Sequence, residues 1–312
     1  HKTRLKKMHI IDRITNSNEN KSLNQSLLQA LCLKKLRTNP LPNQKSEIWR
    51  LINKTKLSRF LNYSLSEKFY SPKIPGILDK ENVLRIIIGE NKKYDFKTKK
   101  WEIKELENEV TVNLIKEKIH DFDKTENWSN LLNHSLSDTK NIIGLNISGT
   151  DIPNIEIVSN SKNDFFCSKT IFLNIEKNTK VNISQINLSD KNSSLSKASY
   201  LNIGENSVVN HGIISCGNSK SHIINSLIVS QSKNSEYNLG TLQFNFDFAR
   251  FEINIEQIEG NAKTNIKGMQ ITRDNEQIST FAKIKFNGPN GFLDQLNKSL
   301  ANDRSHAIFE GL

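Results

Sequence analysis

The chain has 312 residues, of which 36% are hydrophobic and 25% are charged, so it is long enough for one large or two ordinary domains with an apolar core. No stretch approaches the roughly 18 apolar residues that a membrane-spanning helix needs, and residues 1–20 lack the apolar centre and cleavage site of a secretory signal. These features argue against a membrane span or secretion and predict a cytoplasmic globular protein.

The formal net charge of +11 would allow electrostatic attraction to nucleic acid or to an anionic membrane. Most of the excess is lysine, scattered from Lys2 to Lys298 among abundant asparagine. Arginines interleaved with aromatic residues, the pattern that contacts bases, are not found. The charge therefore indicates a compositional bias, and we predict neither a nucleic-acid nor a membrane partner.

The three cysteines, Cys32, Cys167 and Cys216, are widely spaced and odd in number. This pattern argues against both a disulfide framework and a zinc module. Reduced thiols are typical of the cytosol.

Residues 1–140 predict a mixed, largely α-helical region. Leu23, Leu27 and Leu31 recur at helical spacing, and Pro40 stops the pattern. The later elements of this region are helices over 46–61, 103–119 and 127–136 and a short buried strand over 83–88.

From residue 141 onward the helical period disappears, and short β-type runs alternate with polar turn residues. We therefore predict two regions, 1–140 and an all-β region over 141–312. The eleven predicted strands are Ile143–Ile147, Ile155–Val158, Thr170–Ile175, Val181–Leu188, Tyr200–Ile203, Val208–Ser215, His222–Val229, Thr241–Phe248, Phe251–Gln257, Asn265–Gln270 and Ile278–Phe286.

An internal repeat is the most informative feature of the β region. The tripeptide Leu-Asn-Ile occurs at 145–147, 173–175 and 201–203, 28 residues apart each time. A fixed period of this length is typical of stacked units that cannot bury their apolar side alone. The sequence favours a parallel β-solenoid with asparagine at the corners, where left-handed backbone is needed. An antiparallel sandwich or barrel remains the alternative, but it does not predict the repeat.

Two groups of residues were considered as candidate sites. His211, Cys216 and His222 form the one His/Cys cluster of the sequence, but metal ligands must converge within about 2.0–2.3 Å of one ion, and residues five apart on a strand face opposite sides. We interpret the cluster as a partly exposed histidine and a small buried cysteine, and we predict no catalytic, cofactor-binding or metal-binding residues.

The second group would suit a solenoid enzyme that binds or cleaves acidic polysaccharides. Such enzymes carry clustered acidic and basic side chains on one face. The simpler interpretation is alternating charge on the solvent face of strands. The residues concerned are Asp247, Arg250, Glu252, Glu256 and Glu259.

Three stretches resemble the SufB/SufD family of iron–sulfur cluster assembly scaffolds, and SufD-type sequences of the cyanobacterial and plastid branch most of all. The first is LPNQKSEIWR at 41–50, with Trp49 and Arg50. The others are GLNISGTDIPNIEIVSN and VVNHGIISCG, followed by the segments over 249–271 and 286–311.

The resemblance implies a non-enzymatic scaffold that pairs with a SufB-like subunit through the end of its solenoid and binds a SufC-like ABC ATPase. ATP hydrolysis would belong to the ATPase, and the iron–sulfur cluster would be handled by the assembled complex, in the cytoplasm or the plastid stroma. SufB instead of SufD is the alternative within the family.

The resemblance also predicts that the chain is truncated at its C-terminal end. The family's Cys/His-Gly-Ala-Thr region follows the Phe-x-Gly segment, which here is Phe309-Glu310-Gly311. No residue is assigned to that region, and His306 is not its equivalent. An incomplete solenoid would leave an unpaired edge near 307–312, which promotes association.

Overall fold

The computed structural model describes residues 23–38, 40–43, 45–66, 70–72, 83–120 and 128–312. Strands account for 52% and helices for 17% of the described residues. The helices are α1 (Leu23–Thr38), α2 (Lys54–Phe60), α3 (Asn108–His120) and α4 (Trp128–Leu136), with 3-10 turns at Glu47–Trp49 and Thr139–Asn141. The strands are β1 (Ser64–Leu65), β2 (Val83–Ile87), β3 (Asp95–Lys97), β4 (Trp101–Glu105), β5 (Ile142–Gly149), β6 (Asn154–Ser161), β7 (Phe165–Ile175), β8 (Lys180–Ser189), β9 (Ser194–Ile203), β10 (Val208–Cys216), β11 (His222–Gln231), β12 (Glu236–Phe244), β13 (Phe248–Gln257), β14 (Lys263–Thr272), β15 (Gln277–Phe286), β16 (Phe292–Ala301) and β17 (His306–Gly311).

A parallel β-solenoid of about 6 turns occupies residues 142–311, which confirms the predicted fold class. Alternate strands stack into two sheets, one running from β5 through the odd-numbered strands to β17 and the other from β6 through the even-numbered strands to β16. The 28-residue repeat equals the length of one coil, because Leu145 pairs with Leu173 and Leu173 with Leu201. Identical residues therefore lie one above another.

Residues with a left-handed backbone conformation occupy the corners between strands, as we predicted from the asparagine-rich turns. Asn178, Asn206 and Asn234 have φ angles of 59°, 57° and 57°. Their side chains also form a ladder, in which each amide donates to the oxygen of the preceding one at 3.3 and 3.1 Å. Asparagine serves both needs, since it tolerates this backbone and can donate and accept at once.

Two apolar cores run along the solenoid. The inner core lies between the sheets and is built from the repeated Leu and Ile residues, such as Leu173, Ile175 and Leu201. The outer core lies between the odd-numbered sheet and the N-terminal helices, where Phe172 and Tyr200 pack against the helical residues. The N-terminal region also extends both sheets, because β2 pairs with β6 and β4 with β5. The division at residue 140 stays a prediction.

Several predicted elements are wrong in their bounds or were missed. The predicted strand Thr241–Phe248 crosses a corner, because β12 ends at Phe244 and β13 begins at Phe248. The predicted helix over 103–119 begins only at Asn108, since β4 takes its first residues. The predicted helix over 46–61 is a 3-10 turn followed by α2. Strands β16 and β17 were not predicted, because their apolar residues are interrupted by polar ones.

Candidate functional site at the terminal coil

The structure does not bring His211, Cys216 and His222 together. His211 lies inside the solenoid, where its Nδ1 is 2.8 Å from the hydroxyl of Tyr237. Cys216 is on the same strand but faces outward and is partly exposed. The prediction of a partly exposed histidine and a buried cysteine is therefore wrong, because both histidines are buried and Cys216 is not. His222 begins the next strand, and its Nε2 is 3.3 Å from a carboxylate oxygen of Asp247. Among the residues that the structure describes, no group of three or more His, Cys, Asp or Glu side chains could hold a metal ion.

Asp247 anchors helix α2 to a corner of the solenoid. Its carboxylate accepts hydrogen bonds from Lys56 and His222 and pairs with Arg59 at 3.3 Å. Burial alone would raise the pKa of Asp247, but the bonds from His222 and Lys56 outweigh burial and lower that pKa well below its usual range. The carboxylate is thus held ionised as a structural contact.

The remaining charged candidates do not share a groove. Arg250 is fully buried and donates from Nε to Glu252 at 2.7 Å. Glu252 is also buried, so the expectation that these charges lie on the solvent face of the strand is wrong for both. Glu256 instead lies at the surface and pairs with Lys285 at 3.3 Å, and Glu259 accepts from the backbone of a corner.

Arg250 also contacts Trp49 of the N-terminal region. The guanidinium lies 4.3 Å from the centre of a Trp49 ring, within the range of a cation–π contact. The Trp49 ring in turn meets Trp128 edge to face at 5.4 Å. Two of the stretches that carried the family resemblance, 41–50 and 249–271, therefore contact each other and fix the N-terminal segment on the solenoid.

The interior of the solenoid also holds two amines that the sequence analysis did not single out. Lys169 and Lys197 pair in register on adjacent coils, on the face that buries Ile171 and Leu173. Lys169 Nζ donates to Asn141 at 2.7 Å and to the Ile88 carbonyl at 3.0 Å. Burial lowers the pKa of Lys169 to about 8 and, with the charge of Lys169, that of Lys197 to about 7. Their 28-residue spacing in the repeat was the signal that could have found them.

The terminal coil, formed by β16 and β17, carries a concentration of exposed apolar side chains. Six of the twelve large hydrophobic residues that are exposed in the described part of the chain lie within 286–312. On the outer face of β16, Phe292, Leu296 and Leu300 are 52%, 49% and 56% exposed. One coil earlier the same positions are Lys263, Lys267 and Ile271. An apolar stripe of this kind is typical of a protein-docking surface.

Strands β16 and β17 are the last described strands of their sheets. Strand β17 pairs only with β15 among the described strands, and β16 likewise pairs only with β14. Phe309 pairs with the inward-facing Thr280 but is 40% exposed, since no described strand covers it. The buried amide nitrogens of Gln295 and Asn297 have no hydrogen-bond partner among the described residues. Unpaired backbone, apolar side chains and free amides together suit the addition of another strand.

No helix among the described residues is both long and apolar enough to cross a membrane. A search of curated proteins finds no match to this chain.

A comparison with protein-family models matches residues 157–312 to the SufBD core domain of the SUF system of FeS cluster assembly. The matched segment begins within β6 and includes every later coil of the solenoid. It covers half of the chain and contains both the buried lysine Lys197 and the terminal coil. The chain therefore belongs to the SufBD family of iron–sulfur cluster assembly proteins.

Proposed function

We propose that this chain is a non-enzymatic scaffold subunit of the SufD type, acting in an assembly with a SufB-like scaffold and a SufC-like ABC ATPase. The observation that carries the proposal is the outer face of β16, where Phe292, Leu296 and Leu300 are exposed. A partner subunit seated against this face would cover the three side chains. The proposed location is the cytoplasm or the plastid stroma.

The SufD assignment rests on the resemblance at Trp49-Arg50. It is supported by the contact of Trp49 with Arg250, which gives that resemblance a structural role. In the proposed assembly ATP hydrolysis belongs to the SufC-like subunit, and the nascent cluster is handled by the complex. We assign no cluster ligand to this chain, since its three cysteines are dispersed and clusters are usually held by sets of thiolates.

Co-expression with SufB and SufC homologues, followed by purification through a tag on the SufC homologue, tests the proposal. The parent chain is expected to co-purify in a defined ratio with both. Replacing Leu296→Lys and Leu300→Lys together places two charges in the buried part of the interface, and we expect the chain to be lost from the complex.

Ile214→Lys is the matched control. Ile214 lies on the outer face of the same sheet and is 41% exposed, but it is on an earlier coil. This variant is expected to co-purify like the parent chain. The docking proposal fails if the parent chain does not co-purify, or if the double variant still does.

A polysaccharide-binding or lyase-like solenoid is the alternative function. It would need the acidic and basic side chains of β13 to line one groove. Arg250 and Glu252 are instead buried, and Arg250 lies against Trp49, which disfavours the alternative.

A further inference from the structure

Small residues leave a shallow trough in the outer face of the even-numbered sheet, here called the glycine trough. It is formed by Ser184 of β8, Gly212 of β10 and Gly240 of β12, which pair in register. Neither glycine has a left-handed backbone, and no described atom lies within 4 Å of a Cβ built on either one. The fold itself therefore gives no reason for glycine, which weakens a strand and often marks the close approach of another backbone.

The glycine trough has one polar wall and one apolar wall. The polar wall is the side-chain ladder of Asn210 and Asn238, which are joined by a hydrogen bond of 2.9 Å. The apolar wall is Ile214, which is 41% exposed, and its register partner Leu242, which is half-buried. Outward residues along a strand are about 7 Å apart, so the two walls are about 13 Å apart. This width accommodates a helix, whose diameter with side chains is about 10–12 Å.

The odd-numbered sheet shows how this chain covers a glycine on an outer face. Gly144 lies on the outer face of β5, and a Cβ built there would collide with the side chain of Thr111 on α3. Thr111 is fully buried at this contact. Helix α4 likewise packs across two coils, since Asn133 donates to the carbonyls of Lys169 on β7 and Ser196 on β9. Gly144 is thus a point where a helix approaches the sheet closely.

A helix suits the glycine trough better than an extended peptide does. Strand β10 already pairs with β8 and β12, so an added strand would find no free backbone groups in the trough. A helix satisfies its own backbone hydrogen bonds and presents side chains to the apolar wall. From Ser184 to Lys267 the column covers three coil spacings, or about 14 Å, which corresponds to about ten helical residues.

Lys267 indicates the charge that such a helix would carry. It is the register partner of Gly240 and closes the trough on the side of the terminal coil. Its side chain is exposed and forms no ion pair with a described residue. The acidic side chain of β12, Glu236, already accepts from Asn238 at 2.9 Å. A carboxylate on the helix would therefore meet an unpaired amine.

We propose that the glycine trough docks an amphipathic helix of a partner protein, with small side chains over Gly212 and Gly240 and a carboxylate at Lys267. The apolar stripe of this helix packs against Ile214 and Leu242. The trough lies on earlier coils than the exposed residues of β16. The helix therefore belongs to a partner additional to the SufB-like and SufC-like subunits.

Selection from a displayed library of helical peptides of about 15 residues, randomised along one face, tests the proposal on the full chain. Gly240→Leu fills the trough and serves for counter-selection. Enriched peptides are expected to carry alanine, glycine or serine next to leucine or isoleucine, with Asp or Glu near one end. A labelled synthetic copy of one such peptide should bind the parent chain about tenfold more tightly than it binds Gly240→Leu, as measured by fluorescence anisotropy.

Charge reversal tests the orientation of the helix. Lys267→Glu should weaken binding of the acidic peptide about fivefold and should favour a peptide in which lysine replaces the acid. Lys233→Glu is the matched control, because Lys233 is exposed at a corner away from the trough. This control should bind the acidic peptide as the parent chain does.

The stability of Gly240→Leu tests the premise that the fold does not require glycine. This variant should unfold at the temperature of the parent chain or above it, and it should still co-purify with the SufB and SufC homologues. Failure of the helix proposal is thereby distinguished from failure of the proposed assembly.

Four outcomes overturn the proposal. The first is that no enriched peptide distinguishes the parent chain from Gly240→Leu, and the second is enrichment of basic or proline-rich extended peptides. The third is a lower unfolding temperature for Gly240→Leu. The fourth is that Gly240→Leu abolishes self-association in light scattering, which would make a second copy of the chain the occupant of the trough.

Discussion

At the scale of single residues, buried cationic side chains differ in how far their surroundings compensate their charge, as Arg250 and Lys197 show. Arg250 has a carboxylate at 2.7 Å and an aromatic face at 4.3 Å. Lys197 is buried to 1% exposure with no hydrogen-bond partner on Nζ among the described residues. Arg250 with its two partners should therefore stabilise the fold, whereas the unpartnered Lys197 should destabilise it.

Removing one partner of the buried Arg250–Glu252 pair should lower the free energy of unfolding much more than removing both. Arg250→Met leaves the carboxylate of Glu252 buried and unpaired, so we expect a loss of about 3–5 kcal/mol in the free energy of unfolding. The double variant Arg250→Met with Glu252→Leu should recover most of that loss. Urea denaturation of the three proteins measures both effects. Equal losses in the single and double variants would show that the ion pair is not the cause.

Lys197 should make stability depend on pH. The unfolded chain holds this proton to about its ordinary pKa of 10.5, whereas the folded chain releases it near pKa 7. Between those values the unfolded state binds more protons, so the free energy of unfolding rises with pH. Lys197→Met should therefore be more stable than the parent by about 3 kcal/mol at pH 8, with a flatter pH profile.

Urea denaturation between pH 7 and pH 10 measures this difference. Lys233→Met, at an exposed corner, should change the free energy of unfolding by less than about 0.5 kcal/mol. If Lys197→Met and the parent show parallel pH profiles, the amine is not the titrating group.

At the scale of elements, each coil depends on the corner that closes it. Asn206 has a φ of 57° and sits in the middle of a side-chain ladder, with Asn178 and Asn234 as its partners. Asn210 is in a similar ladder, donating to Asn182 at 2.8 Å and accepting from Asn238 at 2.9 Å, but it lies within strand β10. Substitutions at Asn206 affect both the left-handed backbone and the ladder, whereas substitutions at Asn210 affect only the ladder.

Asn206→Ala should lower the free energy of unfolding by about 1–2 kcal/mol, because alanine has no favourable left-handed conformation. Asn206→Gly should lose less, since glycine adopts that backbone freely. Asn210→Ala, which breaks only ladder hydrogen bonds at the surface, should lose less than Asn206→Ala. Thermal unfolding ranks the three. A larger loss at Asn210 than at Asn206 would assign the stabilisation to the ladder instead of the corner.

At the scale of the whole molecule, the solenoid has two dissimilar ends. At its beginning the edge of one sheet is followed by β4 and β3, which pair antiparallel with β5 and with each other. At the terminal coil β17 is the last described strand of its sheet, and Phe309 and Leu312 are 40% and 62% exposed. Antiparallel strands therefore cover the beginning of the odd-numbered sheet, whereas the even-numbered sheet begins with the parallel strand β2.

The open end should make the isolated chain associate with itself. We expect size-exclusion chromatography with light scattering to show a mass that rises with protein concentration. Phe309→Lys introduces a charge into the edge strand and should shift the chain toward the monomer, whereas Ile214→Lys should not. A parent chain that remains monomeric at high concentration would contradict the prediction.

Much of the fold follows from local sequence because a solenoid repeats local structure. The 28-residue spacing of Leu-Asn-Ile set the coil length, and asparagine marked the corners, since both signals arise within one coil. The predicted strand bounds were wrong where the hydrophobic pattern continues through a corner, as it does at Thr241–Phe248. The end strands β16 and β17 were missed because polar residues interrupt their apolar ones.

Only the tertiary structure decided which charged residues are buried and which residues form sites. Arg250 and Glu252 resemble surface charges in sequence, yet both are buried, and Trp49, about 200 residues away in the chain, lies over Arg250. The glycine trough likewise depends on tertiary structure, because the described helices pack on the odd-numbered sheet and no described atom covers Gly212 or Gly240. The sequence by itself determined the repeating β architecture, because neighbouring residues set strands and turns. The packing of the N-terminal segment on the solenoid depends on contacts between distant residues, which no local pattern specifies.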